Sequence, residues 1–179
     1  MPTNVEIKAR VADPAALERA LLALRPRGPE ILVQEDVFFA CPDGRLKLRM
    51  LRDGRAELIH YEREAAAGPR PSRYTVAPTS APAALRSILA ATLGELGVVR
   101  KVRRLFLVGQ TRVHLDSVEG LGDFLELEVV LRDGQSADAG ASIARDLMRC
   151  LGVVPESLVR DAYFDLLRAD AGAAGGRGR

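Results

Sequence analysis

Two-residue alternation with charge on one face recurs in segment after segment of this chain, and it constrains the fold more than any other feature. Across residues 4–11, "NVEIKARV", Val5, Ile7, Ala9 and Val11 fall on one side and Asn4, Glu6, Lys8 and Arg10 on the other. Period-two alternation marks a strand with one apolar face. "GRLKLRM" sets Arg45, Lys47 and Arg49 against Leu46, Leu48 and Met50, and "VVRKVRRLFLV" groups Lys101 with Arg103 opposite Val102, Arg104 and Phe106. "TRVHLDS" opposes Arg112, His114 and Asp116 to Val113 and Leu115, and "DFLELEVV" opposes Glu126 and Glu128 to Leu125, Leu127 and Val129. "AELIHYERE" is blurred, with Ile59, Tyr61 and Arg63 on one side and Leu58 and His60 on the other.

Between these segments the punctuation is regular. "DPAALERALLAL" predicts a helix, with Asp13 as N-cap and Pro14 at the first helical position, where its missing N–H costs nothing. "EILVQEDVFFA", "RLKLRML" and "AELIHYERE" are strands joined through Asp-Gly turns, a strong hairpin signal. "AAAGPRPS" reads as a loop and "RYTVAP" as a short strand. "SAPAALRSILAATLGEL" repeats the helix grammar with Ser80 as cap, and three strands follow. Two last helices, "DAGASIARDLMRCLG" and "PESLVRDAYFDLLRA", precede a small-residue tail expected to be disordered over 169–179. The short connections make this an α+β chain with mostly antiparallel pairing, one domain over residues 1–168.

A chain of 179 residues, 47% hydrophobic and 28% charged, supports a sizeable core. Its 26 basic and 24 acidic residues leave a net charge of only +2, which argues against a general binder of nucleic acid or of membrane surfaces. Cys41 and Cys150 have no CxxC spacing and His60 and His114 no HxxxH spacing, so a structural zinc site is not expected and two free thiols are the plainer reading. Without a signal-peptide pattern or an apolar run of membrane-spanning length, the expected location is cytoplasmic.

A solvated sheet face would explain any one of these strands. Two features of the set go further. The polar positions are almost wholly Lys, Arg, Glu and Asp, and charge types are segregated, cations on "KLR", "KVR" and "TR", carboxylates on "VEIK" and "LELE". A sheet curled so that these faces converge would enclose many cations and several carboxylates, an arrangement that suits a polyanion accompanied by a divalent metal. No GxxxxGK[ST] loop is present, so phosphate binding of the P-loop kind is excluded.

At these residues the sequence resembles the CYTH superfamily, the triphosphate tunnel metalloenzymes, from "NVEIKARV" through "GRLKLR", "AELIHYERE", "VRKVRR", "TRVHLDSVEGLGDFLELEVVL" and "SLVRDAYFDLL". The nearest wording is that of class IV adenylate cyclase-like proteins. The resemblance implies an eight-stranded antiparallel β-barrel or tunnel, charged inside, with helices packed on the outside. It implies an enzyme using Mg²⁺ or Mn²⁺ to turn ATP into cyclic AMP and pyrophosphate. Thiamine triphosphatase, inorganic triphosphatase and a catalytically weak polyphosphate- or nucleotide-binding protein are the alternatives. By the same resemblance, triphosphate contacts fall to Lys8, Lys47, Arg49, Arg63, Lys101, Arg103 and Arg112. Metal ligation falls to Glu6, Glu126 and Glu128, and the catalytic roles to Lys8, Arg63 and Asp116. The family's signature is Glu-x-Glu-x-Lys; Glu6 and Lys8 match its last two positions, and Asn4 replaces the first Glu. His114 is expected to orient Asp116 ahead of serving as a general base, and Tyr163 and Phe164 to be core ahead of active-site residues. Arg70 and Arg73 are read either at the tunnel mouth or in solvent. A small-molecule triphosphate is the implied partner, no nucleic acid or membrane is expected, and a homodimer is left open.

Overall fold

Each alternating segment is a strand, and the strands close on themselves. The computed structural model describes residues 3–63 and 68–175. Its strands are β1 (Thr3–Arg10), β2 (Arg27–Phe39), β3 (Arg45–Leu51), β4 (Ala56–Arg63), β5 (Arg70–Pro78), β6 (Glu95–Val108), β7 (Thr111–Val118) and β8 (Gly122–Val130). They form a closed barrel in the order β1-β5-β4-β3-β2-β6-β7-β8, every neighbouring pair antiparallel. Closure removes both sheet edges. The first residues of β5 were expected as loop. Instead Val5 pairs with Pro71 and Glu6 with Arg70, while the β4 ladder reaches only Ser72 among the described residues. Pro71 therefore sits where the strand behaves as an edge, the place in a sheet that tolerates a missing N–H.

Helices pack on the outside. α1 (Pro14–Ala23) is capped by Asp13, whose side chain accepts from the Ala16 N–H at 2.9 Å. α3 (Ala137–Cys150) is capped by Ser136 through the Ala139 N–H. α2 (Pro82–Leu93) starts from Ala81 rather than Ser80 and has no side-chain cap; the Thr79 hydroxyl shapes the turn instead, accepting from the Ala81 N–H at 3.2 Å.

The hydrophobic core lies between barrel and helices, not within the barrel. Val5 and Ile7 of β1, Phe106 of β6, Val113 of β7 and Leu125, Leu127 and Val129 of β8 are fully buried against α1 and α3, with Leu21 and Ala144 reaching back from the helices. On the opposite wall Val37, Phe39 and Leu48 are covered by Leu85 and Leu89 of α2. Outward apolar faces buried this way leave the inward faces free to be polar. Cys41 and Cys150 are free thiols, and no described helix is long and apolar enough to cross a membrane.

The last helix is not the one the sequence predicts. The segment from Pro155 makes a short 3₁₀ turn (Pro155–Ser157) and then an extended crossing, with Leu158 bridged to Ala9 and the Val159 N–H donating to the Lys8 carbonyl at 2.8 Å. Only then does α4 (Tyr163–Gly175) begin. Backbone pairing to the end of β1 overrides helix propensity here. α4 runs on to Gly175, through the first alanine-rich residues of the expected tail, since Ala is the best helix former; residues 176–179 of that tail lie outside the described residues. Phe164 stacks on Phe38, with ring centroids 4.8 Å apart, and Tyr163 packs edge-on to Phe124, so α4 closes one end of the barrel.

α3 lies so close to β1 that a Cβ on Gly140 would stand 2.6 Å from Leu131 Cδ2 and 2.8 Å from Val5 Cγ2. Gly140→Val is therefore expected to destabilise the fold by about 1–3 kcal/mol, the usual range for overpacking. The change should appear as a lower urea midpoint at unchanged m-value; an unchanged midpoint would mean that α3 does not depend on this contact.

Candidate functional site

Parity turns the charged residues into the barrel, where they line a cavity of about 540 Å³. β1 contributes Asn4, Glu6 and Lys8; β3, Lys47 and Arg49; β6, Lys101 and Arg103; β7, Arg112 and His114; β8, Glu126 and Glu128. The expected site residues are thus brought together, with two exceptions. Asp116 points inward with Arg103 but is sealed beneath Arg103 and Tyr163, off the cavity lining, and Arg63 ends β4 with its side chain outside the described residues.

Two buried carboxylates organise the cations. Asp116 is 2% exposed and accepts a fork from Arg103, Nε at 2.7 Å and Nη2 at 2.6 Å, with the Tyr163 hydroxyl donating at 3.0 Å and Lys101 Nζ 3.6 Å away. Burial pushes its carboxyl up, but Arg103 and Lys101 outweigh that and hold it at about 2. The residues that orient Asp116 are therefore Arg103 and Tyr163, not His114. Asp36 on β2 does the same work across the barrel. It accepts from Arg49 at 2.8 and 3.1 Å and from Lys47 at 2.8 Å, and these cations together with Lys101 overcome its burial to keep it well below the usual carboxylate range. Sequence reading passed over Asp36, although the signal was present: Gln34, Asp36 and Phe38 share one parity in "VQEDVFF".

Cations remain crowded despite these partners. Lys47 is pulled down to about 7, first by burial and then by the charge of Arg49, with Asp36 restoring only part. Lys8 closes the floor: its Nζ lies 3.7 Å from the Tyr163 ring centroid, donates to the Asp161 carbonyl at 3.2 Å and stands 3.3 Å from Glu126 Oε1. For Tyr163 the core and active-site readings are not exclusive: it is part of the core and the floor of the cavity. Burial and the charges of Glu126 and Asp116 hold its hydroxyl protonated, well above the usual phenol value, so it serves as a donor.

The acidic side of the cavity faces β7. Glu126 receives Arg103 at 2.5 Å, and despite burial Lys8 and Arg103 keep it well below the usual range. Glu128 is lowered too, with burial opposed by His114 and Arg103. His114 Nδ1 lies 3.6 Å from Glu126 Oε2 and 3.8 Å from Glu128 Oε1, and one donor atom from each of the three lies within 4.8 Å of the others. That spacing, with Nδ1 buried and lacking a hydrogen-bond partner, fits a divalent cation. Glu6 stands directly opposite Glu128 in the β1–β8 register and 3.8 Å from Arg70 Nε, which places the carboxylate beside the cluster. Arg70 is buried in the wall and Arg73 is exposed. Arg112, with 42% of its side chain exposed and Nη1 3.6 Å from Glu128, stands nearer the open end.

One stretch of wall is apolar. Leu32 and Leu51 line the cavity beside Ile59, Val76 and the rings of Tyr61 and Tyr74. This is why "AELIHYERE" looks blurred: its inward face is Glu57, Ile59 and Tyr61.

Comparison with known proteins agrees with this architecture. The CYTH domain family matches residues 2–163. A Methanocaldococcus jannaschii protein named as a candidate adenylate cyclase is 29% identical over 72 residues, 40% of this chain; the matched stretch spans 41% of that relative's length. Among solved structures, a Pyrococcus horikoshii OT3 protein superposes with a TM-score of 0.80 at 25% identity, covering 91% of this chain and 98% of its own. A candidate adenylate cyclase from Vibrio parahaemolyticus has a TM-score of 0.75 at 20% identity, covering 92% and 97%. A chain from Hippeastrum, described as an adenylyl cyclase candidate with a dominant triphosphatase activity, has a TM-score of 0.67 at 16% identity, covering 93% and 96%.

The lowered Lys47 yields a test of the cavity's charge. The unfolded chain and a polyanion-bound state both favour the charged amine, whereas the free fold favours release of its proton above pH 7. The sign for stability follows: between pH 7 and the ordinary lysine value the unfolded chain holds more protons, so this group's destabilisation is full below that window and fades as pH rises. Tripolyphosphate binding at pH 8, titrated calorimetrically in buffers of different ionisation enthalpy, should take up more protons in the wild type than in Lys47→Gln, by up to about one. Equal uptake would mean that Lys47 does not meet the polyanion.

Proposed function

The chain belongs to the CYTH domain family, and from that premise we propose that it is a metal-dependent enzyme acting on an organic triphosphate, in the first instance a class IV adenylate cyclase-like enzyme. The observation that carries this reading is one cavity holding three chemistries side by side. It has a rank of cations for phosphate oxygens, a His114–Glu126–Glu128 cluster for a divalent ion, and an apolar wall. A bare polyphosphate has no use for that wall, and 540 Å³ falls within the roughly 300–1,000 Å³ of pockets that hold a whole organic ligand.

Lys8, Lys101 and Arg103 on one side and Lys47 and Arg49 on the other grip the triphosphate, their orientation set by Asp116 and Asp36. Arg112 meets it nearer the open end, and Arg63, at the end of β4, is assigned a contact by family resemblance. Asp116 touches no substrate in this scheme; it is a positioning residue that fixes the Arg103 fork and the Tyr163 hydroxyl. Glu126 and Glu128, with Glu6 beside them, would hold Mg²⁺ or Mn²⁺, which supplies neutralisation of phosphate charge as the bond to the leaving group breaks. In cyclisation the ribose 3′-oxygen bonds to the α-phosphorus, the bond to the bridging oxygen breaks, pyrophosphate leaves and the hydroxyl proton passes to solvent. The Tyr61 and Tyr74 rings and the apolar wall suit a base. Hydrolysis of the same substrate at its terminal phosphorus is the second reading, favoured by the depth at which Lys8, Lys101 and Arg103 are set. There the oxygen of water bonds to the terminal phosphorus, the bond from that phosphorus to its bridging oxygen breaks, the diphosphate leaves and orthophosphate forms, with the proton passing to solvent.

Product analysis with ATP and, separately, tripolyphosphate, each with Mg²⁺ or Mn²⁺, decides between them. Cyclic AMP with pyrophosphate is the expected result. Orthophosphate with ADP from ATP, or with pyrophosphate from tripolyphosphate, and no cyclic AMP would select the triphosphatase, and no turnover of either with binding retained would leave a binding protein. Joint Glu126→Gln and Glu128→Gln should lower turnover by at least about 10²-fold while tripolyphosphate still binds. Asn4→Glu should raise activity if a carboxylate at that position completes the acidic side.

A further inference from the structure

His114 is the one member of the acidic cluster that is not an oxygen donor, and its placement is hard to explain as packing. It is 3% exposed, it lies on β7 opposite Glu126 in register, and its Nδ1 is buried without a hydrogen-bond partner while facing both carboxylates. An unpartnered buried ring nitrogen costs about 1–3 kcal/mol, so an arrangement that leaves one facing the cavity calls for a ligand there. Asn4 stands on β1, the strand that pairs with β8 on the side away from β7, where the family signature has a carboxylate, and its Oδ1 is also buried and without a partner. Glu126 already serves Lys8 and Arg103, but a carboxylate has about four lone-pair positions and keeps capacity for a metal.

We propose that His114 Nδ1 is itself a metal ligand, making the site a mixed nitrogen–oxygen set with Glu126 and Glu128 that takes Mn²⁺ in preference to Mg²⁺. The inference rests on the metal-dependent reading above and adds the ligand and the selectivity. Imidazole binds first-row transition ions far better than Mg²⁺, which demands oxygen ligands and retains its water. Exchanging a signature carboxylate for neutral Asn4 lowers the negative charge that would hold a hard cation, and shifts the balance further toward an ion that bonds nitrogen. A neutral imidazole donating through Nδ1 leaves Nε2–H as the ring's remaining hydrogen-bonding group, directed away from the ion.

Mn²⁺ is its own reporter. Pulsed electron paramagnetic resonance of the Mn²⁺-loaded full chain, with tripolyphosphate present, should show ¹⁴N modulation from a directly bound ring nitrogen. Labelling with ¹⁵N-histidine should convert that signal, a result that needs no variant and no activity. The chain has one other histidine, His60, whose Nε2 contacts the Asp43 carbonyl at 3.0 Å from the outward face of β4, so His60→Gln should leave the signal intact. His114→Gln should abolish it and reduce the Mn²⁺-over-Mg²⁺ preference by at least about tenfold, since losses of even outer partners of metal ligands cost that much. Mn²⁺ bound without nitrogen modulation would overturn the proposal and leave the carboxylate site and the triphosphate reading in place. No Mn²⁺ binding even with tripolyphosphate would overturn both.

Discussion

Asp36 and Asp116 are the interactions on which the rest of this structure depends. Each is a nearly inaccessible carboxylate that grips two neighbouring cations, Lys47 and Arg49 in one case, Arg103 and Lys101 in the other. Several lysines and arginines pointing into one barrel repel at short range and low dielectric. Burying them is tolerable only where each is paired and hydrogen-bonded. The two aspartates supply that pairing from the inner face of the barrel, beneath the cations they hold. The Lys47 amine, held near 7, measures how much unfavourable charge is left over. A phosphate polyanion relieves it.

Charge inside forces the hydrophobic core outside. A small barrel ordinarily fills its interior with side chains. Here many of the inward positions carry charged groups around an open cavity, so stability rests on the outward faces of β1, β6, β7 and β8 under α1 and α3, and of β2 and β3 under α2. Close approach at Gly140 is one consequence, because α3 must cover β1 tightly to bury Val5. The crossing before α4 is another. It pairs with the end of β1, brings Tyr163 under Lys8 and sets Phe164 on Phe38, so that one end of the barrel is a floor. The cavity is therefore polarised, with cations and the Tyr163 hydroxyl deep and Arg112 toward the open end.

Much of this was legible in the residues because a strand's parity survives any tertiary arrangement. Lys8, Lys47, Arg49, Lys101, Arg103, Glu126 and Glu128 all turn inward as their alternation predicts. Asp36 followed the same rule but sat in a strand read for its hydrophobic residues, and so escaped notice. The misread elements share a cause. Residues 158–162 have helical composition, and Arg70, Pro71 and Ser72 have loop composition; both segments became extended because β1 offered unpaired backbone groups beside them. Propensity is a local quantity, and a strand's vacant hydrogen bonds outweigh it. Tyr163 reads as core first because an aromatic on a helix usually is; that its hydroxyl would reach Asp116 depends on a contact between residues far apart in the chain.

The sequence by itself determined which side chains share a face, that the charged faces are too uniformly ionic for a wet sheet, and that the strands connect as antiparallel neighbours. Those are consequences of two-residue periodicity and short turns, which hold wherever the strands end up. Tertiary structure alone decided which charges meet: that Arg103 forks onto Asp116 while still reaching Glu126, that His114 faces Glu126 and Glu128 rather than Asp116, and that β4 and β5 form an apolar wall. Pairing across a closed barrel depends on register and shear, which sum over all its strands, and no single segment contains that information.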